Sequence, residues 1–155
     1  MASTMVGVIS DTHGLLRPEA LAAVAGTAYI IHAGDIEDGE ALAVLRRLAP
    51  VIAVRGNCDR GPWARELPRE TVVTIDGVHI AVVHDLGKLS LDAKAAGLAA
   101  VVSGHTHLPA CELRDGVLYL NPGSAGPRRH GKPVSVGRLR IEAGGVRGEL
   151  IGLGA

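Results

Sequence analysis

Residues 5–13 read MVGVISDTH, an apolar run that ends abruptly in Ser10, Asp11, Thr12 and His13. Short apolar runs of this kind form buried strands, so polar side chains at the end of one need a reason. Outward from it, residues 18–25 open on Pro18-Glu19 and stop at Gly26, the start and stop signals of a helix. Residues 29–33 (YIIHA) are a second buried strand. Residues 39–48 place Leu42, Leu45 and Leu48 on one helix face, and residues 50–54 (PVIAV) are a third strand. The order β-α-β-α-β with right-handed crossovers predicts a parallel sheet with helices against it.

The pattern changes after residue 70. Residues 71–75 and 78–84 flank Asp76-Gly77, and residues 110–114 and 117–120 flank Asp115-Gly116, two strong hairpin signals. Residues 135–142 and 146–151 flank Gly144-Gly145. A short helix is expected at 89–97 and a strand at 100–103. Two sheets packed face to face with helices outside accommodate both halves. One domain over residues 1–155 is expected, with no linker, repeat or low-complexity tract.

Composition narrows the function. Sixteen Lys and Arg balance sixteen Asp and Glu, so strong sequence-independent nucleic-acid or anionic-membrane binding is not expected. Aromatic residues make up 2% of the chain, too few for base-stacking recognition of single strands. Two cysteines, Cys58 and Cys111, make no disulfide framework, which points to a reducing cytoplasmic compartment. The first residues lack the basic and apolar regions of a signal peptide. The apolar stretch 20–33 is broken by Gly26, Thr27 and His32 and is too short to span a bilayer.

Each candidate strand ends in a polar cluster. These are Asp11-Thr12-His13, Gly34-Asp35, Gly56-Asn57-Cys58-Asp59, His84-Asp85 and Gly104-His105-Thr106-His107. Ligand sites of α/β sheets gather at the carboxyl ends of strands, so the clusters should converge. Carboxylates and imidazoles suit divalent Mn, Fe, Co, Ni and Zn. Asp-x-His and His-x-His put alternate residues on one side if the segments are extended, and the neighbouring glycines admit close backbone approach. So many ligand side chains exceed the needs of one tetrahedral ion but suit two ions sharing a carboxylate. The other histidines read differently: His79 falls on the strand face opposite His84, His32 is a core or supporting residue, and His130 is a solvated loop residue. Trp63 reads as core, and Arg65 follows it.

This motif series resembles the calcineurin-like metallophosphoesterase superfamily, and it spans residues 6–128. The size, Cys58 and the segment Asn121-Pro122-Gly123-Ser124…Pro127-Arg128 look like the compact bacterial and archaeal phosphodiesterases, a branch that includes a non-enzymatic retromer subunit. The resemblance implies a four-layer α/β/β/α sandwich of two mixed sheets. It implies two divalent ions, Mn first, with Ni, Fe or Zn as alternatives. Asp11, His13, Asp35 and His107 would hold one; Asp35, Asn57, His84 and His105 the other. The implied activity is phosphodiester hydrolysis by in-line attack of a hydroxide bridging the metals, on a small-molecule substrate. Asn57, Cys58, Asp59 and His84 are the implied catalytic residues, with Asn57 and Arg128 on the substrate. Many relatives carry His where Cys58 stands, and a neutral thiol is a weak donor, so substrates with good leaving groups should be preferred. A non-catalytic metal-binding interaction module and a phosphomonoesterase are the alternatives, and a homo-oligomer is compatible with the resemblance.

Overall fold

The computed structural model describes residues 3–129 and 131–154, so His130 lies outside the described residues. The first half forms β1 (Thr4–Ile9), α1 (Pro18–Val24), β2 (Tyr29–His32), α2 (Gly39–Leu48) and β3 (Val51–Ala53). A short helix follows, α3 (Pro62–Arg65), and then β4 (Glu70–Ile75) and β5 (Val78–Val83). The chain continues through β6 (Leu98–Val102), β7 (Ala110–Arg114), β8 (Val117–Asn121), β9 (Ser135–Glu142) and β10 (Gly145–Gly152). One sheet has the order β10-β9-β1-β2-β3, the other β4-β5-β6-β8-β7. The pairs β1–β2 and β2–β3 are parallel, as the crossovers require, and so are β5–β6 and β6–β8. Both sheets are mixed, because β9, β10, β4 and β7 pair antiparallel.

Strand alternation in β1 and β2 divides a core between the sheets from one beneath the helices. Val6 and Val8 of β1 face Ile80 and Val82 of β5 across the gap between the sheets, with Leu118, Leu120, Leu139 and Ile141. Ile9 and Ile30 point the other way and pack beneath α1 and α2 against Ala20, Val24 and Leu45. With no Phe in the chain, these aliphatic side chains carry nearly all of the burial.

Two expectations need correction. The helix expected at 89–97 is absent. The segment is a 3-10 turn at Leu86–Lys88 followed by a single turn that Asp92 starts and Gly97 ends. Ser90 is tied to the Glu70 carboxylate, and one turn does not repay the cost of helix nucleation. Leu86, Leu89, Leu91 and Ala93 nevertheless cover Ala81, Val83 and Val101, so the outer layer of the second sheet is a loop. The last hairpin turns at Ala143-Gly144, one residue early, both with positive φ (50° and 77°). The other two turn at Asp76-Gly77 and Asp115-Gly116 as read. The helix α3 was not anticipated; Trp63 on it packs over Ile36 and Leu42. Among the described residues, no helix is long and apolar enough to cross a membrane.

His32 is a core residue with a measurable consequence. It is fully buried; the Gly34 amide donates to Nδ1 (3.1 Å), which leaves the proton on Nε2 to donate to Thr12 Oγ1 (3.0 Å). Burial holds its pKa down at about 3, from an ordinary 6.5. Below pH 6.5 the unfolded ring takes a proton that the native ring refuses. The native state therefore loses about 1.4 kcal/mol per pH unit as pH falls from 6.5 toward 3. His32→Gln, which does not titrate, is expected to lack this part of the slope. Urea unfolding of metal-free protein at pH 7 and pH 5 checks it; equal pH sensitivity in both proteins would contradict it.

Candidate metal centre

The polar clusters follow β1, β2, β3, β5 and β6, and the two sheets bring their carboxyl ends together. The Asp11 amide donates to Gly34 O (3.0 Å) and the His13 amide to Asp35 O (2.9 Å), joining the loops after β1 and β2. His84 Nδ1 donates to Ala33 O (2.7 Å) and the His105 amide to Asp11 Oδ2 (3.1 Å), joining the two sheets. Glycine makes this closeness attainable. A Cβ on Gly104 would stand 2.1 Å from Ser10 Oγ, and one on Gly56 would stand 2.2 Å from Asp35 Oδ1.

The ligand segments are not extended, which corrects the reading of the x-spaced pairs. Asp11 and His13 have φ of 53° and 47°, Asp35 and Glu37 57° and 63°, His105 and His107 72° and 62°. Six non-glycine residues in the left-handed region at one site carry stored strain. Hydrogen bonds between the loops hold five of them: Asp11 and His13 to the loop after β2, Asp35 and Glu37 to Asp59, and His105 to Asp11 across the sheets.

The donor atoms converge on a small volume. Asp11, His13 and His107 offer ligand atoms within 4.8 Å of one another, and so do Asp11, Asp35 and His84. Asp35 Oδ2 lies 3.7 Å from His13 Nε2 and 3.2 Å from His84 Nε2, between the two groups. Asp11 Oδ1 lies 3.4 Å from His107 Nε2 and 4.0 Å from His84 Nε2. His13 Nε2 and His107 Nε2 are 3.3 Å apart. Asn57 and His105 stand at the exposed rim, with the His105 ring edge-on to His84 at 5.2 Å.

These residues fit divalent cations. Asp11 Oδ1 and His84 Nε2 are buried with no hydrogen-bond partner, a costly arrangement that a cation would relieve. His84 uses Nδ1 on a carbonyl, which frees the Nε2 lone pair for a metal. Burial pushes the Asp11 carboxyl above its usual range. Burial pushes Asp35 the same way, but the His84 imidazole, the Cys58 amide and the His13 ring outweigh it and hold Asp35 at about 2. For His84 burial alone would lower the pKa, and Asp35 and Asp11 raise it instead. Burial lowers His107. Asp11, Asp35, His84 and His107 are thus shifted together by burial and by one another's charges within one cluster.

The remaining site candidates take different places. The Asp59 carboxylate accepts four backbone amides: Asp35 (3.0 Å), Ile36 (2.8 Å), Glu37 (2.8 Å) and Gly56 (2.8 Å). Cys58 is free and half-buried; burial and then the Asp35 charge push its thiol pKa up, so it stays protonated. Asn57 Nδ2 donates to its sulfur at 3.6 Å. The structure does not bring Arg128 to the cluster: its Nη2 donates to Gly154 O (3.2 Å), while the neighbouring Arg129 is the one whose charge bears on His107. His79 is exposed and bonds Thr74 Oγ1 (2.7 Å), away from His84 as alternation required.

Glu37 was missed. It pairs with His13 Nδ1, and His13, Glu37 and Cys58 form a third close donor set. The signal was present, because Asp35-x-Glu37 repeats the spacing of Asp11-x-His13.

The fold and this ring of carboxylates and imidazoles define a metallophosphoesterase. A profile of the calcineurin-like phosphoesterase superfamily domain matches residues 5–144, and the chain belongs to that superfamily of metal-dependent phosphoric ester hydrolases. It is 36% identical over 163 residues to a protein of Methanothermobacter thermautotrophicus named "probable metallophosphoesterase", covering 97% of this chain and 94% of that one. It is 30% identical to the phosphodiesterase YfcE of Escherichia coli, covering 84% of each. Among solved structures it superposes on an archaeal phosphodiesterase with a TM-score of 0.78 and 26% identity, covering 96% of this chain and 100% of the other. The vacuolar protein sorting 29 of Cryptosporidium parvum shares the fold, with a TM-score of 0.75 and 21% identity over 97% of each chain.

Proposed function

We propose that this chain hydrolyses small-molecule phosphodiesters with two divalent cations, Mn first, bound in the cluster. The observation that carries the reading is the pair of buried, unpartnered ligand atoms, Asp11 Oδ1 and His84 Nε2, inside converging donor sets. Asp11, His13, Asp35 and His107 would hold the first cation, and Asp35, Asn57, His84 and His105 the second. When bound, two dications neutralise phosphoryl oxygens and lower the pKa of water from 15.7 towards about 7.

The chain's own residues orient the reaction. Asn57 and Cys58 sit on one loop beside Asp35, since the Cys58 amide donates to Asp35 Oδ1 (2.8 Å). The protonated thiol of Cys58 would donate weakly to the departing oxygen. In-line displacement then needs no covalent enzyme intermediate, and good leaving groups are favoured. Asp59, saturated by backbone amides, positions the loops instead of exchanging a proton.

The test is hydrolysis of bis-p-nitrophenyl phosphate beside p-nitrophenyl phosphate by metal-stripped protein resupplied with Mn, Ni, Zn or Mg. Metal-dependent diester cleavage that exceeds monoester cleavage, and is lost in Asn57→Ala and His84→Ala, is expected. Faster turnover of alkyl monoesters would overturn the reading.

Glu37 is the positioning residue for His13. Partners that orient a ligating imidazole are worth 10- to 100-fold in metal affinity. Glu37→Gln is expected to weaken Mn binding by about 10- to 100-fold, read by isothermal titration of the metal-free protein. Unchanged affinity would show that Glu37 is idle.

A further inference from the structure

Beside the metal centre lies a cleft of about 160 Å³. Asn57, His84 and His105 form the wall shared with the cluster, and Arg55, Arg69 and Lys88 line the cleft beside them. The three cations come from three places: the loop after β3, the approach to β4 and the 3-10 turn after β5. Among the described residues none of the three is in an ion pair. Arg55 is pinned through its amide, which donates to Pro68 O (2.8 Å), and its Nε is buried without a partner.

Two carboxylates on the same wall, Glu70 and Asp85, oppose these three cations and leave the lining with one positive charge in excess, and neither forms an ion pair with a cation of the cleft. Both Glu70 oxygens are taken by Ser90, one by its amide (2.8 Å) and one by its hydroxyl. Asp85 accepts the Gly87 amide (3.0 Å), and its other oxygen lies 4.0 Å from His105 Nε2. The chain as a whole is formally neutral, so a cleft with a positive excess and three cations held in no ion pair is a local feature.

We infer that the substrate carries a second phosphate group, not the one cleaved, and that Arg55, Arg69 and Lys88 bind it in this cleft. The inference rests on the phosphodiesterase reading and narrows its substrate class. A phosphate dianion suits two guanidinium forks and an ammonium better than a single carboxylate does. A substrate seated this way has its reacting phosphate at the metal ligands Asn57, His84 and His105 and its second phosphate on the Arg55 side.

Two arms test this. Metal-free protein is titrated with inorganic pyrophosphate by calorimetry. Arg69→Met/Lys88→Met, both exposed positions, is expected to raise Kd about tenfold or more while the melting temperature stays within a few degrees. In the second arm, Mn-loaded protein cleaves two thymidine 5′-p-nitrophenyl phosphates, one with a 3′-phosphate and one with a 3′-hydroxyl. The 3′-phosphate is expected to lower KM about tenfold, and the ratio should fall toward one in the double variant. Pyrophosphate binding indifferent to the substitutions, or equal KM for the two esters, overturns the inference. No hydrolysis of either ester, with variant-sensitive pyrophosphate binding intact, strikes the phosphodiesterase reading and leaves the anion cleft standing.

Discussion

Asp35→Asn is expected to lower metal-dependent diester hydrolysis by on the order of a thousandfold, a loss of several kcal/mol of charge stabilisation. The reason is the position of one oxygen. Asp35 Oδ2 lies between His13 Nε2 and His84 Nε2, where a single carboxylate serves both donor groups. Its partner Oδ1 is fixed by the Cys58 amide, so the side chain cannot swing away to spare one group. An amide in its place keeps the shape and loses the charge that would hold the two proposed dications. The fold should survive, because the residue is not in the aliphatic core. The check is kcat/KM on bis-p-nitrophenyl phosphate together with the number of Mn ions retained after gel filtration. Retention of both ions and near-normal activity would show that Asp11 Oδ1, the other oxygen reaching both sides, does the bridging.

Asp59→Ala carries the second large effect, and it falls on stability. Removing the carboxylate strands four amides, those of Asp35, Ile36, Glu37 and Gly56, and the residue itself is buried. Leaving buried donors unsatisfied costs about 1–3 kcal/mol each when nothing replaces the acceptor. With water relieving some of them, a loss of about 3–5 kcal/mol is expected, near the upper end for a single substitution. The same amides set the left-handed conformations of Asp35 and Glu37, so metal binding should weaken in step. Urea unfolding of the metal-free protein separates this from a chemical role. A proton donor at this position would lose turnover in Asp59→Asn with stability unchanged, and the structure predicts the reverse order of effects.

Much of this arrangement was legible in the residues because the fold places ligands where strands stop. Apolar runs such as MVGVIS and YIIHA mark strands unambiguously, and the polar side chains that follow them have to gather at one rim. The backbone at that rim was not legible. Asp11, His13 and His105 take left-handed conformations where separate loops bond one another, and such contacts leave no trace in local spacing. Asp59 shows the same limit: its position in Gly56-Asn57-Cys58-Asp59 suggests chemistry, while its partners lie across the loop after β2. The helix expected at 89–97 failed because Glu70, far off in sequence, claims Ser90. The basic cleft is a product of folding alone, since Arg55, Arg69 and Lys88 are unremarkable where they stand in the chain.

The most direct measurement follows activity and metal content in one titration. Metal-stripped protein takes up Mn in steps, with bound ions counted by mass spectrometry and bis-p-nitrophenyl phosphate hydrolysis read at each step. Two ions per chain at saturation are expected, with hydrolysis rising as the second is taken up. Saturation at one ion, or two bound ions with no hydrolysis, would contradict a dinuclear phosphodiesterase.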